Sequence, residues 1–137
     1  MFVSFLLDQG VEMELDAELG EVLSALDREV PSFACDGYGF RLNVAKGVLG
    51  LQWRLLVTAV EEDSGKALDS PIGLAIVSRE DDGSTSFRIP PRAEWSESHP
   101  EVSDADGRLF TGFVLQLFEA FQRLGWMELP GPLPEQQ

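Results

Sequence analysis

Hydrophobic and polar residues alternate in three separate segments of the chain, and such alternation is typical of half-buried β-strands. In the stretch VSFLLDQGVEMEL, a three-residue loop at residues 8–10 pairs residues 3–7 with residues 11–15. The apolar side chains then share one face, while Glu12 and Glu14 lie on the other. The pattern therefore predicts a first hairpin.

A second hairpin is predicted over residues 38–55, with a two-residue turn at Lys46 and Gly47. This turn pairs Phe40 with Trp53 and keeps one face apolar. The opposite face carries Arg41, Asn43, Gln52 and Arg54.

A third hairpin is predicted around the Asp82–Gly83 pair, which is a strong turn signal. A two-residue turn at this position pairs Ile76 with Ile89 and places Phe87 on the same face as Leu74. That face is expected to be the buried one, because it collects the largest side chains of the segment.

Two further segments follow the 3.6-residue period of a helix. The first, residues 17–30, begins after Asp16, which is suited to the N-cap, and is closed by a following proline. The second, residues 104–124, begins with a Ser103–Asp106 capping pair and ends before Gly125. Its apolar stripe contains Leu109, Phe110, Phe113, Val114, Leu117, Phe118, Phe121 and Leu124.

Three hairpins and two helices predict an α+β fold, a single antiparallel sheet of about six strands with both helices on one face. A chain of 137 residues fits one domain. We therefore predict a single domain over residues 1–137, with a proline-rich tail at residues 128–137. The second helix has a polar side, so we expect its apolar stripe to form core and not to enter a membrane.

Two apolar residues, Leu115 and Trp126, fall on the polar side of the second helix. Together they can offer an apolar contact to a partner protein. Alternatively, Trp126 packs back on Phe121, as the residue after a helix-ending glycine does in a Schellman motif. Leu115 is then an ordinary exposed leucine.

The charge of the chain narrows the range of partners that it can bind. The chain has 24 acidic and 10 basic residues and a net charge of −14. Such a charge repels phosphate backbones and anionic lipid surfaces, so we expect neither direct nucleic-acid binding nor membrane binding. A basic protein is the complementary partner, although acidity can also serve solubility alone.

The charges are unevenly distributed, with nine acids and one base in residues 1–36 but three bases and no acid in residues 37–58. Such asymmetry can orient a basic partner. The acids that we expect to contact it are Glu12, Glu14, Glu18, Glu21, Glu61, Glu62, Asp63, Glu80, Asp81 and Asp82.

Patterns for catalysis or metal binding are weak. Cys35 and His99 are the only cysteine and histidine, and nothing in the sequence places them together as a nucleophile and base. They are too few for a zinc site, and the acidic loops lack the spacing of a calcium loop. We therefore predict no catalytic residue, no metal and no cofactor. A single cysteine fits a reducing cytoplasm.

These observations predict a non-catalytic acidic domain that binds and inhibits a basic protein, such as a nucleic-acid-handling enzyme or a toxin. Toxin-immunity proteins and phage-encoded inhibitors of the anti-CRISPR kind share this composition, and some imitate the charge of DNA; the analogy is one of composition alone. Two alternatives stay open. One is a dimeric acidic chaperone or adaptor of a secretion or phage system, and the other is a small enzyme or ligand-binding protein.

Overall fold

The computed structural model describes residues 9–47, 52–91, 94 and 107–127. The elements are β1 (Val11–Leu15), α1 (Leu19–Glu29), a 3-10 helix (Val30–Ser32), β2 (Ala34–Cys35), β3 (Tyr38–Lys46), β4 (Gln52–Glu61), β5 (Gly73–Arg79), β6 (Thr85–Ile89) and α2 (Gly107–Arg123). The six strands form one antiparallel sheet in the order β1-β6-β5-β4-β3-β2. The predicted α+β fold with a single sheet is therefore confirmed.

The core lies between the two helices and one face of the sheet. Phe113 of α2 meets Phe40 of β3 edge-on, with ring centroids 5.3 Å apart. Farther along α2, Phe121 meets Phe87 of β6 at 5.4 Å. The predicted stripe of α2 is core, since all its members except Leu124 are buried.

A helix side chain packs directly on strand backbone at Gly73, the first residue of β5. A Cβ atom at this position would overlap the ring of Phe110. Only glycine leaves room for the ring, because any other residue carries a Cβ atom into the same space. The distance between α2 and the sheet therefore depends on this glycine.

The start of α1 differs from the prediction. Glu18 is the N-cap in place of Asp16, and the Glu21 carboxylate accepts a hydrogen bond from the Glu18 N–H at 3.3 Å. The Asp16 N–H instead donates to the carbonyl of Trp126 at 3.0 Å. The bond between Glu18 and Glu21, three residues apart, belongs to a capping box, and this box sets the start of the helix after Glu18.

The Schellman end predicted for α2 is confirmed. Gly125 has a φ of +77°, and the Trp126 N–H donates to the Phe121 carbonyl at 3.0 Å. The Gly125 N–H donates to the Gln122 carbonyl at 2.9 Å. The Trp126 ring packs on Phe121, with centroids 6.0 Å apart.

Several predicted features lie outside the described residues. They are the first strand of the first hairpin, the Ser103–Asp106 capping pair, His99 and the tail at residues 128–137. Gln9 has helical backbone and does not form the loop predicted for it. Among the described residues, β1 pairs with β6.

The predicted register of β3 and β4 is wrong. Phe40 pairs with Ala59, six residues beyond its predicted partner Trp53. The connection is longer than two residues, and the Gly47 N–H donates to the Gln52 carbonyl at 2.6 Å. Because side chains alternate with a period of two, a shift by an even number changes the partners but preserves the faces.

The register of β5 and β6 differs from the prediction by one residue. Ile76 pairs with Arg88 and not with Ile89. The loop contains three residues, and the Glu80 N–H closes it by donating to the Ser84 carbonyl at 3.0 Å. The extra loop residue accounts for the difference.

An odd shift exchanges the two faces of a strand. Phe87 consequently pairs with Val77 on the helix face, and Leu74 lies on the opposite face. Leu74 is nevertheless 1 % exposed, and every residue from Gly73 to Val77 is buried. Strand β5 is thus buried on both faces, in contrast to the alternation that the sequence suggests.

We expect Gly73→Ala to lower the free energy of unfolding by about 2–3 kcal/mol, because the added methyl group displaces Phe110 from its packed position. The matched change Gly20→Ala adds its methyl group to open space on the surface of α1. It should raise the free energy of unfolding by about 0.5–1 kcal/mol. Urea unfolding of both variants measures these free energies. Small and equal changes in the two variants would contradict the close packing of Phe110 on Gly73.

Candidate partner-binding surface

The pairing of β6 brings two acidic segments to the same end of the sheet. Leu15 at the end of β1 and Arg79 at the end of β5 both pair with Thr85, the first residue of β6. Thr85 is 0 % exposed, and its hydroxyl donates to the Ala17 carbonyl at 2.8 Å. The β1–α1 connection and the β5–β6 turn are therefore neighbours.

We call this region the acidic end. Its carboxylates are exposed, apart from one that is half-buried, and none takes part in a salt bridge among the described residues. Arg79 is an exposed base at the same end, so the region keeps a strong negative excess. The six carboxylates belong to Glu14, Asp16, Glu18, Glu80, Asp81 and Asp82.

Asp16 was missed as a candidate because its place before a predicted helix suggested a capping role. In the structure its side chain is exposed between β1 and α1, and its N–H donates to the Trp126 carbonyl. No local pattern could have found this residue, since its neighbours in the acidic end come from the distant β5–β6 turn.

Three of the predicted acids lie at the opposite end of the sheet. Strand β4 runs from Gln52, which pairs with Ser78 near the acidic end, to Glu61. At about 3.3 Å per residue, the strand spans about 30 Å. Glu62 and Asp63 follow Glu61, so the structure does not bring this cluster together with the acidic end.

The cluster at residues 61–63 belongs to a hydrogen-bonded loop. The Ser64 hydroxyl donates to the Glu61 carboxylate at 2.7 Å, and the Glu61 N–H donates to the Lys66 carbonyl at 2.9 Å. The Glu62 N–H donates to the Gly37 carbonyl at 3.0 Å. Glu61 therefore has a structural role in the loop.

Glu12 and Glu21 lie beside the acidic end. Glu12 pairs across the strands with Arg88, and the Arg88 guanidinium is 4.0 Å from the Glu94 carboxylate. A base opposite an acid offsets its charge, so Glu12 adds less to the negative field. Glu21 serves α1 through its bond to the Glu18 N–H.

Leu115 and Trp126 have different surroundings. Leu115 is 43 % exposed on the outer side of α2. Trp126 is half-buried against Phe121, and its carbonyl accepts the hydrogen bond from Asp16. Trp126 therefore has a structural role at the junction of α2 with the β1–α1 connection.

The described part of the chain contains no group of three or more His, Cys, Asp or Glu side chains arranged to hold a metal ion. Cys35 is half-buried, and a Cβ atom added to Gly112 would lie only 2.7 Å from its Sγ. Neither described helix has the length and hydropathy that crossing a bilayer requires.

A second surface feature is an apolar groove of about 300 Å³ between α1 and β3. We call it the α1–β3 groove. Its rim includes Val44, which is 46 % exposed. The described residues that line it are Leu23, Leu26, Asp27, Val30, Pro31, Phe40, Arg41, Leu42 and Val44.

Comparison of the chain with protein-family models, with curated proteins and with solved structures finds no match. Function is therefore inferred from the geometry and charge of the chain's own residues.

Asp82 shapes the turn that carries part of the acidic end. Its carboxylate accepts hydrogen bonds from the Ser84 hydroxyl at 2.6 Å and from the Ser84 N–H at 2.9 Å. Both bonds favour the charged form and hold the pKa of Asp82 below its ordinary value. The bond from the Ser84 hydroxyl is the larger cause, and the bond from the Ser84 N–H is the smaller one. Asp82 therefore stays charged while it fixes the turn.

Since its folded pKa is below its unfolded pKa, Asp82 stabilises the fold above the unfolded pKa of about 3.9, and this contribution is lost as pH falls through the folded pKa. We expect Ser84→Ala to raise the pKa of Asp82, because the largest cause is removed. An NMR titration of the Asp82 carboxyl measures this, with Ser64→Ala, at the opposite end, as control. Identical Asp82 titrations in wild type and Ser84→Ala would refute the assignment.

Proposed function

We propose that this chain is a non-catalytic protein-binding domain that inhibits or neutralises a basic partner, such as a nucleic-acid-handling enzyme or a toxin. The contact surface is the acidic end. The observation that carries the proposal is the pairing of β1 and β5 on either side of β6. This pairing sets six carboxylates from two distant segments together, and in the described part of the chain Arg79 is the base that we place among them.

The rigid mounting of these carboxylates favours binding. The Thr85–Ala17 hydrogen bond joins the two connections, and the Asp82–Ser84 bonds hold the turn. Charges that are already in position lose little conformational freedom when a partner docks. A concentrated field also accelerates the approach of a partner of opposite charge and orients it.

The chemistry of the surface suggests how inhibition works. Enzymes that handle nucleic acids bind phosphates with lysine and arginine side chains. Carboxylates presented to the same side chains compete with the phosphates and leave the enzyme unable to hold its substrate. Our proposal places this competition in the cytoplasm, where a chain with one cysteine needs no disulfide.

The dimeric adaptor and the small enzyme stay predictions. Leu115 is an exposed apolar residue on the outer side of α2. A stable interface buries about 800 Å² on each partner, which is far more than one leucine provides.

To test the proposal, a basic partner is captured at low salt from extract of the source cells and purified, and its Kd is measured at several salt concentrations. We expect Glu80→Lys/Asp81→Lys to raise the Kd at least about tenfold at low salt and to flatten its salt dependence. Asp82 is left in place because it holds the turn.

The matched control is Glu62→Lys/Asp63→Lys, which changes the net charge by the same amount at the opposite end of the sheet and leaves Glu61 to hold its loop. This variant should change the Kd by less than about threefold. Equal losses of affinity in the two variants would show that binding depends on net charge alone and would contradict the proposed contact surface. A captured partner without a basic surface would also contradict the proposal.

A further inference from the structure

Strand β3 has an open edge beyond its short pairing with β2. The pairing with β2 reaches only to Gly39, whereas β3 continues to Lys46. Among the residues that the structure describes, nothing pairs with this edge from Leu42 onward. An unpaired strand edge presents N–H and C=O groups that another extended chain can bind.

By contrast, the edge of β2 is covered by a side chain. The Gln116 amide accepts a hydrogen bond from the Ala34 N–H at 3.1 Å and donates to the Ala34 carbonyl at 3.0 Å. These two bonds reproduce what a neighbouring strand would provide. Within the described part of the chain, the sheet edge is therefore covered at β2, whereas the later part of β3 is unpaired.

The hydrogen bonds at the two ends of β3 show which backbone groups point outward. The Gly37 carbonyl and the Gly47 N–H both bond to residues at or beside the ends of β4. Because the direction alternates from residue to residue in an antiparallel strand, odd-numbered residues of β3 face β4. The N–H and C=O groups of Leu42 and Val44 therefore point to the open edge.

The open edge runs along the α1–β3 groove. The side chains of Leu42 and Val44 line this groove opposite Leu23 and Leu26 of α1. A strand added to β3 would place every second side chain in the same groove, because side chains alternate between the two faces of a sheet. Backbone pairing and apolar contact are thus available at one place.

The charge of the edge selects its occupant. Residues 37–58 contain three bases and no acid in a chain with a net charge of −14. Arg41 and Lys46 flank the open segment, and the Lys46 Nζ lies 5.7 Å from the centroid of the Trp53 ring. Asp27 is the acid on the helix wall of the groove. Aliphatic residues suit the groove, and acidic residues suit the flanking bases.

A second copy of the chain fits poorly. An antiparallel pairing that matches Leu42 of one copy with Val44 of the other would set Arg41 opposite Ala45, and it would bring no acid of this segment beside the bases, because residues 37–58 contain none. Two chains of net charge −14 also repel each other at longer range.

We propose that the open edge of β3 binds an extended segment of a partner protein as an additional strand. Aliphatic side chains of this segment fill the α1–β3 groove, and acidic side chains lie beside Arg41 and Lys46. This binding mode is strand addition, in which backbone hydrogen bonds hold the peptide and the pockets select its side chains. The proposal does not depend on the acidic end.

The test uses a blocked peptide of sequence Asp-Val-Thr-Val-Thr-Val-Asp and a control peptide with Lys in place of both Asp residues. Hydrogen exchange is followed by NMR in the full chain. We expect saturating Asp peptide to slow exchange of the Leu42 and Val44 amides at least about tenfold, because these groups become hydrogen-bonded. The Lys peptide should bind about tenfold more weakly.

Two variants test the contributions of the backbone hydrogen bond and of the basic side chain separately. Val44→Pro removes an outward N–H without removing a hydrogen bond to β4. It should raise the Kd of the Asp peptide at least about tenfold. Arg41→Glu should weaken binding of the Asp peptide and strengthen binding of the Lys peptide. Its matched control, Arg79→Glu, makes the same charge change at the acidic end and should leave both affinities within about twofold.

Three results would overturn the proposal. The first is equal affinity for the two peptides, or no saturation by the Asp peptide at millimolar concentration. The second is protection elsewhere in the chain without protection of Leu42 and Val44. The third is self-association in sedimentation that Val44→Pro abolishes, which would identify a second copy as the occupant.

Discussion

The burial of Phe87 and Thr85 on the helix face holds β6 between β1 and β5, and the rest of the structure depends on this placement. Phe87 is 0 % exposed and packs against Phe121 of α2. A slip of one residue would turn both buried side chains to the opposite face and leave the core with a gap. Register is therefore strongly fixed here, and with it the meeting of the β1–α1 connection and the β5–β6 turn.

Two surfaces of opposite character follow from this scaffold. The acidic end collects carboxylates where β1, β5 and β6 meet, whereas the open edge of β3 lies two strands beyond β5 and carries Arg41 and Lys46. We propose different binding modes for the two surfaces, electrostatic attraction of a basic partner at the acidic end and backbone pairing with apolar contact at the open edge. A net charge of −14 conceals this division, because it sums over both regions.

Features governed by neighbouring residues could be predicted from the sequence, and features governed by loop length could not. The α2 stripe and the turn at Gly125 follow from helical period and a left-handed glycine, which act within a few residues. Between β3 and β4, the predicted register differs from the observed one by six residues, an even number, so the predicted faces are correct although the paired residues are not. Between β5 and β6, the register differs by one residue at Ile76, so the predicted faces are exchanged. Five of the six carboxylates of the acidic end are among the predicted contact residues, whereas Asp16 joins them only through pairing between distant strands.

The most direct measurement of the central claim is a map of the electrostatic potential near the surface. Relaxation of amide protons by a cationic and by an anionic paramagnetic cosolute gives this potential residue by residue, without any binding partner. The account predicts the most negative values at residues 16–18 and 81–84, weaker values at residues 62–64, and the least negative values at residues 42–46. A uniform potential, or one most negative at residues 62–64, would contradict it.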